Sequence, residues 1–133
     1  MKSASARDRA GRTELHYAAV DGRLSDVERL VASGDDVSAR DKMMMTPLHM
    51  ACQQGHADVA KGLLDAGAEV DPRDGYGNTP LWRAVFAFRG DGQLIRQLLD
   101  RGANPDSKNA ADKSPRELAL TLDKPGLREL FSQ

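Results

Sequence analysis

The sequence contains a single cysteine, and this scarcity excludes several kinds of chemistry. One thiol cannot form an internal disulfide, and without a second cysteine at ligand spacing it does not support a zinc site of the usual kind. No apolar run is long enough to cross a bilayer, and residues 1–12 lack the apolar core of a signal peptide. We therefore expect a soluble, cytoplasmic protein that makes no membrane contact.

Aromatic residues and an excess of either charge are also lacking. The chain has three Phe, two Tyr and one Trp, so its core has to be built mainly from Leu, Val and Ala. Its formal net charge of −1 argues against general binding to polyanions, and a nucleic-acid partner is not expected. No phosphate-binding loop, nucleophile elbow or paired-carboxylate motif is present, so we expect no enzymatic activity, catalytic residue, metal or cofactor.

The chain does contain a recurring phrase. It occupies residues 13–19, 46–52 and 79–85, at intervals of 33 residues, and a less similar fourth copy follows 35 residues later at 114–120. A fixed period of this length is typical of repeat proteins, in which each unit buries its apolar face against its neighbours. Such stacks usually offer a binding surface rather than a catalytic pocket.

The second copy shows how one unit folds. Thr46 is suited to cap a helix that begins at Pro47, and Gly55 ends this first helix. A second helix is predicted over residues 57–65, followed by Gly67 at the position of a left-handed residue that ends a helix. The segment up to the next threonine is too short for another helix, so we expect a projecting, hairpin-like loop.

This unit resembles the ankyrin repeat. The resemblance rests on the Thr-Pro-Leu-His-x-Ala phrase of residues 46–51, the Gly-His pair at 55–56 and the Leu-Leu-Asp-Ala-Gly-Ala segment at 63–68. It implies an all-α solenoid in a single domain, 1–133, of four stacked helix-turn-helix units with projecting loops. The unit boundaries are expected at about 5–38, 39–71, 72–106 and 107–133.

The family resemblance also implies binding of a protein partner by the loop tips and the adjoining groove of the first helices. Arginine outnumbers lysine thirteen to six, and in this the chain looks like the small ankyrin proteins of GC-rich bacteria, some of which neutralise a toxin. In the family, histidines such as His16 and His49 hydrogen-bond to backbone between units, and His56 is also assigned to the scaffold. Cys52 aligns with a buried position, which favours an unreactive thiol.

The copies depart from one another in places. Glu14, Arg116 and Glu117 stand where the pattern has apolar residues, proline or histidine, which fits end units that face water. The third unit is two residues longer within residues 86–92 and has Trp82 in place of histidine. Either its first helix is longer or the loop between its helices bulges. Phe86 or Phe88 then reaches the surface, or these aromatic side chains fill the space around Trp82.

The second loop has Met44 where two other loops have glycine. If this residue needs a positive φ, methionine costs about 1 kcal/mol there. With Met43 and Met45 it forms either an adaptable contact surface or a cluster that folds back onto neighbouring loops.

Charge is distributed unevenly along the chain. The four loop tips, residues 7–12, 40–45, 73–78 and 108–113, carry eight basic and four acidic residues, which leaves a net −5 elsewhere. One basic residue recurs at the same loop position of every unit, namely Arg7, Arg40, Arg73 and Lys108. This ladder either steers an acidic partner or is neutralised by aspartates of adjacent loops.

We therefore predict a non-enzymatic interaction protein, an inhibitor, adaptor or immunity-type protein, which is a monomer when free and occupies one specific protein partner with an acidic surface. The alternatives are a small-ligand or enzymatic site around Arg83, Arg89 and Asp91, or a structural spacer. The predicted contacts at the loop tips are Arg9, Ala10, Arg12, Arg40, Lys42, Met43, Met45, Arg73, Tyr76 and Asn78. The predicted contacts in the groove are Tyr17, Asp21, Met50, Gln53, Gln54, Arg83 and Phe86.

Overall fold

A computed structural model describes residues 6–132, so the outermost residues of the predicted domain, 1–5 and 133, lie outside it. Within this range the chain forms helices and loops, with no strand. The all-α repeat solenoid predicted from the sequence is confirmed. The helices are α1 (Glu14–Asp21), α2 (Leu24–Ala32), α3 (Pro47–Gln53), α4 (Ala57–Asp65), α5 (Pro80–Phe86), α6 (Gln93–Asp100), α7 (Pro115–Leu122) and a one-turn 3₁₀ helix (Arg128–Phe131).

Each first helix begins at a hydroxyl cap, as predicted. The side chains of Thr13, Thr46, Thr79 and Ser114 accept the backbone N–H of the third helical residue. In three of the four helices, all but α5, that third residue also binds the backbone N–H of the cap, which completes a capping box. Trp82 holds this place in α5, and its indole has no acceptor to offer.

The helices form two layers that share one core. Helices α1, α3, α5 and α7 contact one another in sequence, as do α2, α4 and α6. Leu15, Leu48 and Leu81 occupy equivalent positions of the first helices and are fully buried. Because the same positions recur in each unit, the core continues from unit to unit without a boundary.

The second helices end as the sequence predicts. Gly34, Gly67 and Gly102 have φ values of 90°, 95° and 92°, a conformation that a Cβ atom disfavours. The residue after each glycine donates its N–H back to a carbonyl of the last helical turn, for example from Ala68 to Leu63 at 3.0 Å. This arrangement satisfies carbonyls that the helix leaves without partners.

The fourth unit ends the stack with a shorter element than predicted. Instead of a second α-helix it has the 3₁₀ turn, which nevertheless buries Leu127 and Phe131. Proline at 125 lacks a backbone N–H, and Gly126 has φ 83°, so this segment does not continue as an α-helix. Arg116 connects α7 to the 3₁₀ helix, because its Nη1 donates to the Phe131 carbonyl at 2.7 Å.

The third unit accommodates its extra residues in the loop between its helices. Helix α5 has seven residues, the same number as α3, so the first helix is not longer and the loop bulges instead. Phe88 is buried, and its ring lies beside Gly126, where an added methyl group would be 4.0 Å from the ring. Phe86 is 62% exposed. Lys124 Nζ donates to the carbonyls of both phenylalanines, which ties the bulge to the fourth unit.

Candidate functional site

Aspartates shape the loop tips. Asp8, Asp41 and Asp74 each use one carboxylate oxygen to accept the N–H groups of the residues two and four positions later. Asn109 does the same in the fourth unit. These side chains hold the turns of the tips, which makes them structural residues first.

The three ladder arginines each bind the next unit. Arg7 donates to the carbonyl of Arg40 at 2.7 Å, and Arg40 donates to the carbonyl of Arg73 at 3.0 Å. Arg73 in turn donates to the hydroxyl of Ser107 at 2.8 Å. Two members of the ladder also have carboxylate partners: Arg40 pairs with Glu69 at 3.4 Å, and Lys108 lies 3.7 Å from Glu117 and 3.8 Å from Asp112. The ladder is therefore partly neutralised, although not by aspartates of adjacent loops.

A second set of contacts joins the tips to one another and to the first helices. Arg12 of the first tip pairs with Asp41 of the second at 3.2 Å, and Arg83 of α5 pairs with Asp74 at 2.5 Å. Burial opposes ionisation of Asp74, but hydrogen bonds from Arg83 and from loop amides give a net lowering of its pKa. The Tyr17 hydroxyl donates to Asp8, and the Arg12 guanidinium lies 5.9 Å from the centre of the Tyr17 ring.

The large apolar side chains that are exposed lie on particular elements. All six that are exposed among the described residues lie on the tips or on first helices, and α2, α4 and α6 have none. We call the tips and the first helices together the contact face, and on it the exposed fractions of these six side chains run from 37% to 62%. The six residues are Tyr17, Met43, Met44, Tyr76, Phe86 and Leu120.

The structure divides the predicted contact residues into three groups. The exposed residues are Arg9, Tyr17, Asp21, Lys42, Met43, Gln54, Arg73, Tyr76 and Phe86. The half-buried residues are Ala10, Arg12, Arg40, Gln53 and Arg83. The buried residues are Met45, Met50 and Asn78.

The three buried residues require a correction, because their side chains are not available to a partner. Met45 and Met50 are 7% and 4% exposed and belong to the shared core. Asn78 is 8% exposed, and its amide oxygen accepts a hydrogen bond from Asn109 at 2.8 Å. Met45 thus folds back into the stack, whereas Met43 projects from the same tip.

Met44 was not among the predicted contacts, although it is 44% exposed. It has φ 65°, at the position where Gly11 and Gly77 have φ 77°. A Cβ atom on Gly11 would lie 2.9 Å from the backbone nitrogen of Lys42 and 3.1 Å from its side chain. The residue equivalent to Lys42 beside Met44 is Gly75, so the side-chain contact is absent there. The signal in the sequence was a bulky residue at a glycine position.

Two adjoining clefts lie beside the third-unit bulge. One, of about 200 Å³, lies between α3 and the bulge and includes Gln54, Arg89 and Asp91 in its walls. The other, of about 330 Å³, is lined by Gln53, Arg83, Phe86, Ala87, Arg89 and Lys124. Neither cleft is lined by all three of Arg83, Arg89 and Asp91. Arg83 binds Asp74, and Asp91 accepts the N–H of Gln93.

Histidine and cysteine serve the scaffold, as the resemblance implied. His16 and His49 bind the carbonyls of Met45 and Asn78, each at 2.8 Å, in the next tip. Burial is the main cause that lowers the pKa of His49 to about 4. Burial also raises the pKa of the Cys52 thiol, which keeps it protonated and unreactive.

The described residues, 6–132, contain no group of three or more His, Cys, Asp or Glu side chains placed to hold a metal ion. No helix within them has both the length and the apolar character needed to cross a membrane.

Comparison with known proteins identifies the repeat. A family model described as ankyrin repeats, in three copies, matches residues 15–109. A search of curated proteins finds no significant match to the chain. Ankyrin repeats are generally protein–protein interaction modules, and proteins of this family are typically non-enzymatic. Because the matched segment covers most of the chain, and its caps, glycines and histidines recur in register, the protein belongs to the ankyrin repeat family.

Proposed function

We propose that this protein acts by occupying one specific protein partner, as an inhibitor, adaptor or immunity-type protein. The observation that carries the proposal is that, among the described residues, the exposed large apolar side chains are confined to the tips and first helices of the contact face. Tyr76 and Phe86 are more than half exposed. A partner that covers these side chains removes apolar surface from water, which contributes favourably to the free energy of binding. The described residues belong to the repeat units, so this part of the chain acts by binding to its partner and covering a surface of it.

The charges of the tips support a partner with an acidic surface. Arg9 and Lys42 are exposed, and no carboxylate among residues 6–132 pairs with either. On the other side of the molecule, the charges of α2 and α4 largely pair with each other or with neighbouring helices, as in Arg23–Asp26 and Lys61–Asp65. Arg9 and Lys42 therefore place unpaired positive charge on the contact face, where it favours association with acidic groups.

Capture from the native host tests this proposal, and the structure decides which variants are informative. Arg40 binds the carbonyl of Arg73, and Arg73 binds the hydroxyl of Ser107, so their replacement would disturb the stack as well as the surface. Lys42→Glu combined with Met43→Ser changes two exposed side chains instead. The matched control is Arg96→Glu, which reverses an exposed charge on α6.

We expect one stoichiometric protein to bind the wild type and the control, and binding to the tip variant to fall at least tenfold. A partner that binds all three proteins equally would remove the second tip from the contact surface. If no protein is captured by any of them, the chain is a spacer and the proposal fails.

A further inference from the structure

The bulge of the third unit forms part of the wall of a cleft. Helices α1 and α2 are joined through Gly22 and Arg23, and α3 and α4 by residues 54–56, whereas α5 and α6 are joined by residues 87–92. The longer loop, together with Lys124, encloses the cleft of about 330 Å³ described above. We call it the bulge cleft and define it by Gln53, Arg83, Phe86, Ala87, Arg89 and Lys124.

The lining of the bulge cleft is positively charged and includes hydrogen-bond donors that have no partner. Three of its side chains are cationic and none is acidic. Arg83 is engaged by Asp74, but Arg89 is exposed and has no hydrogen-bond or ion-pair partner among the described residues. Lys124 uses its ammonium on two carbonyls, and an ammonium has three N–H groups. The cleft therefore offers the Arg89 guanidinium and one Lys124 N–H to an anion.

The same cleft offers an apolar contact and a free amide. Phe86 is the most exposed large apolar side chain of the described residues, at 62%. The side-chain amide of Gln53 forms no hydrogen bond within residues 6–132. An amide both donates and accepts, which matches the alternating groups of a peptide main chain. The Arg89 cation, the Phe86 ring and the Gln53 amide thus lie together in the bulge cleft.

We propose that the bulge cleft binds a peptide segment of the partner in which an acidic residue stands next to an apolar one. The carboxylate pairs with Arg89 and Lys124, the apolar side chain covers Phe86, and the main chain binds the Gln53 amide. A guanidinium with no internal partner keeps all its donors for a bidentate carboxylate. This inference rests on the proposed function, since it names the chemistry of the segment that occupies the contact face.

A library of random twelve-residue peptides tests the cleft without the native partner. The full chain is the target, and the Phe86→Ser, Arg89→Gln double variant is the competitor that removes peptides bound elsewhere. We expect the enriched peptides to place Asp or Glu beside an apolar residue. A synthetic peptide of the enriched sequence should bind the wild type at least tenfold more tightly than it binds Arg89→Gln or Phe86→Ser.

Further variants separate the explanations of a binding signal. Arg96→Gln changes an exposed cation of the same unit that does not line the cleft, and it should leave peptide affinity unchanged. The Asn or Gln version of the peptide should lose binding, because it keeps the shape and removes the charge. Equal binding of the neutral peptide would overturn the anion role, and displacement by millimolar acetate alone would indicate a small-anion site.

The outcomes also separate this inference from the proposed function. Failure to enrich any peptide over the double variant, or enrichment without acidic residues, overturns the assignment of the cleft. If the wild type still captures a host protein and the Phe86→Ser, Arg89→Gln variant captures it equally well, the proposed function stands and the bulge cleft does not. Both substituted side chains are exposed, so matched melting temperatures should show that the fold is retained.

Discussion

Acidification should destabilise the protein through His49. This imidazole is fully buried, and its Nδ1 accepts the backbone N–H of Thr46 at 3.1 Å. Nδ1 therefore carries no proton, and Nε2 donates to the Asn78 carbonyl at 2.8 Å. A proton added at Nδ1 would face an N–H group in a buried site. Burial dominates, and despite the attraction of Asp74 the pKa of His49 is lowered to about 4.

The sign follows from the two states of the chain. The pKa of His49 is about 4 in the folded protein against 6.5 for an unperturbed histidine, so between these values the unfolded chain binds the proton more readily. Protonation then favours unfolding, and stability falls as the pH is lowered from about 7 towards 4. Between pH 7.5 and 5.0 this one group should lower the free energy of unfolding by about 2 kcal/mol.

Urea denaturation at pH 7.5 and 5.0 measures this loss, with Trp82 fluorescence and far-UV circular dichroism as independent probes. His49→Gln is the comparison, because glutamine does not titrate. The variant loses stability at both pH values, but its loss between them should be smaller than that of the wild type by about 2 kcal/mol. Asp74, whose pKa is lowered, and the other carboxylates are common to both proteins and cancel in the difference.

Two results would refute this reasoning. The first is a pH dependence that is the same in His49→Gln and in the wild type. The second comes from NMR titration of the wild-type imidazoles and requires no variant to fold: a His49 pKa near or above 6 would mean that the folded protein accepts the proton. In that case the Thr46 N–H and the burial would not control the ionisation of this side chain.

Three further substitution sets test the packing. Gly22→Ala should lower the free energy of unfolding, measured by urea denaturation, by at least about 2 kcal/mol, because Gly22 has a positive φ and the added methyl group would lie 2.7 Å from a neighbouring imidazole. Gly67→Ala has the same kind of backbone but open space around it, so it should lower the free energy of unfolding by about 1 kcal/mol. Asp41→Ala should cost about 3 kcal/mol by the same assay, since its buried carboxylate binds two loop N–H groups and an arginine. Met45→Ser should lower the free energy of unfolding by about 2 kcal/mol and Met43→Ser by less than about 0.5, and equal losses would contradict their different burial.

Much of the fold was predictable because its rules act over a few residues. A hydroxyl at Thr46 followed by proline specifies where a helix begins, and Gly67 specifies where the next one ends. Both signals recur with the period of the chain, so one unit predicts the next. The shortened end of the fourth unit was missed because it depends on how Leu127 and Phe131 cover the last exposed core positions.

The candidate site was less predictable because its contacts join distant residues through backbone atoms. The sequence displays the charges of Arg7 and Arg40, but not the carbonyl oxygens that these side chains bind. The alternation within the second tip likewise depends on the turn that Asp41 holds, which directs Met43 outward and Met45 into the core. The cleft beside Arg89 required the position of Lys124 in the next unit.

At positions where the repeat units share a residue, its side chain caps a helix, fills the core or binds a neighbouring unit. At positions where the units differ, some side chains make no contact that stabilises the stack. Met44 illustrates the difference: it keeps a left-handed backbone that costs about 1 kcal/mol and remains 44% exposed, so the free protein gains little from it. Arg89 and Phe86 follow the same logic, since one has no partner among the described residues and the other exposes a ring. Because such features do not stabilise the free chain, a bound partner is the physical reason we assign to them.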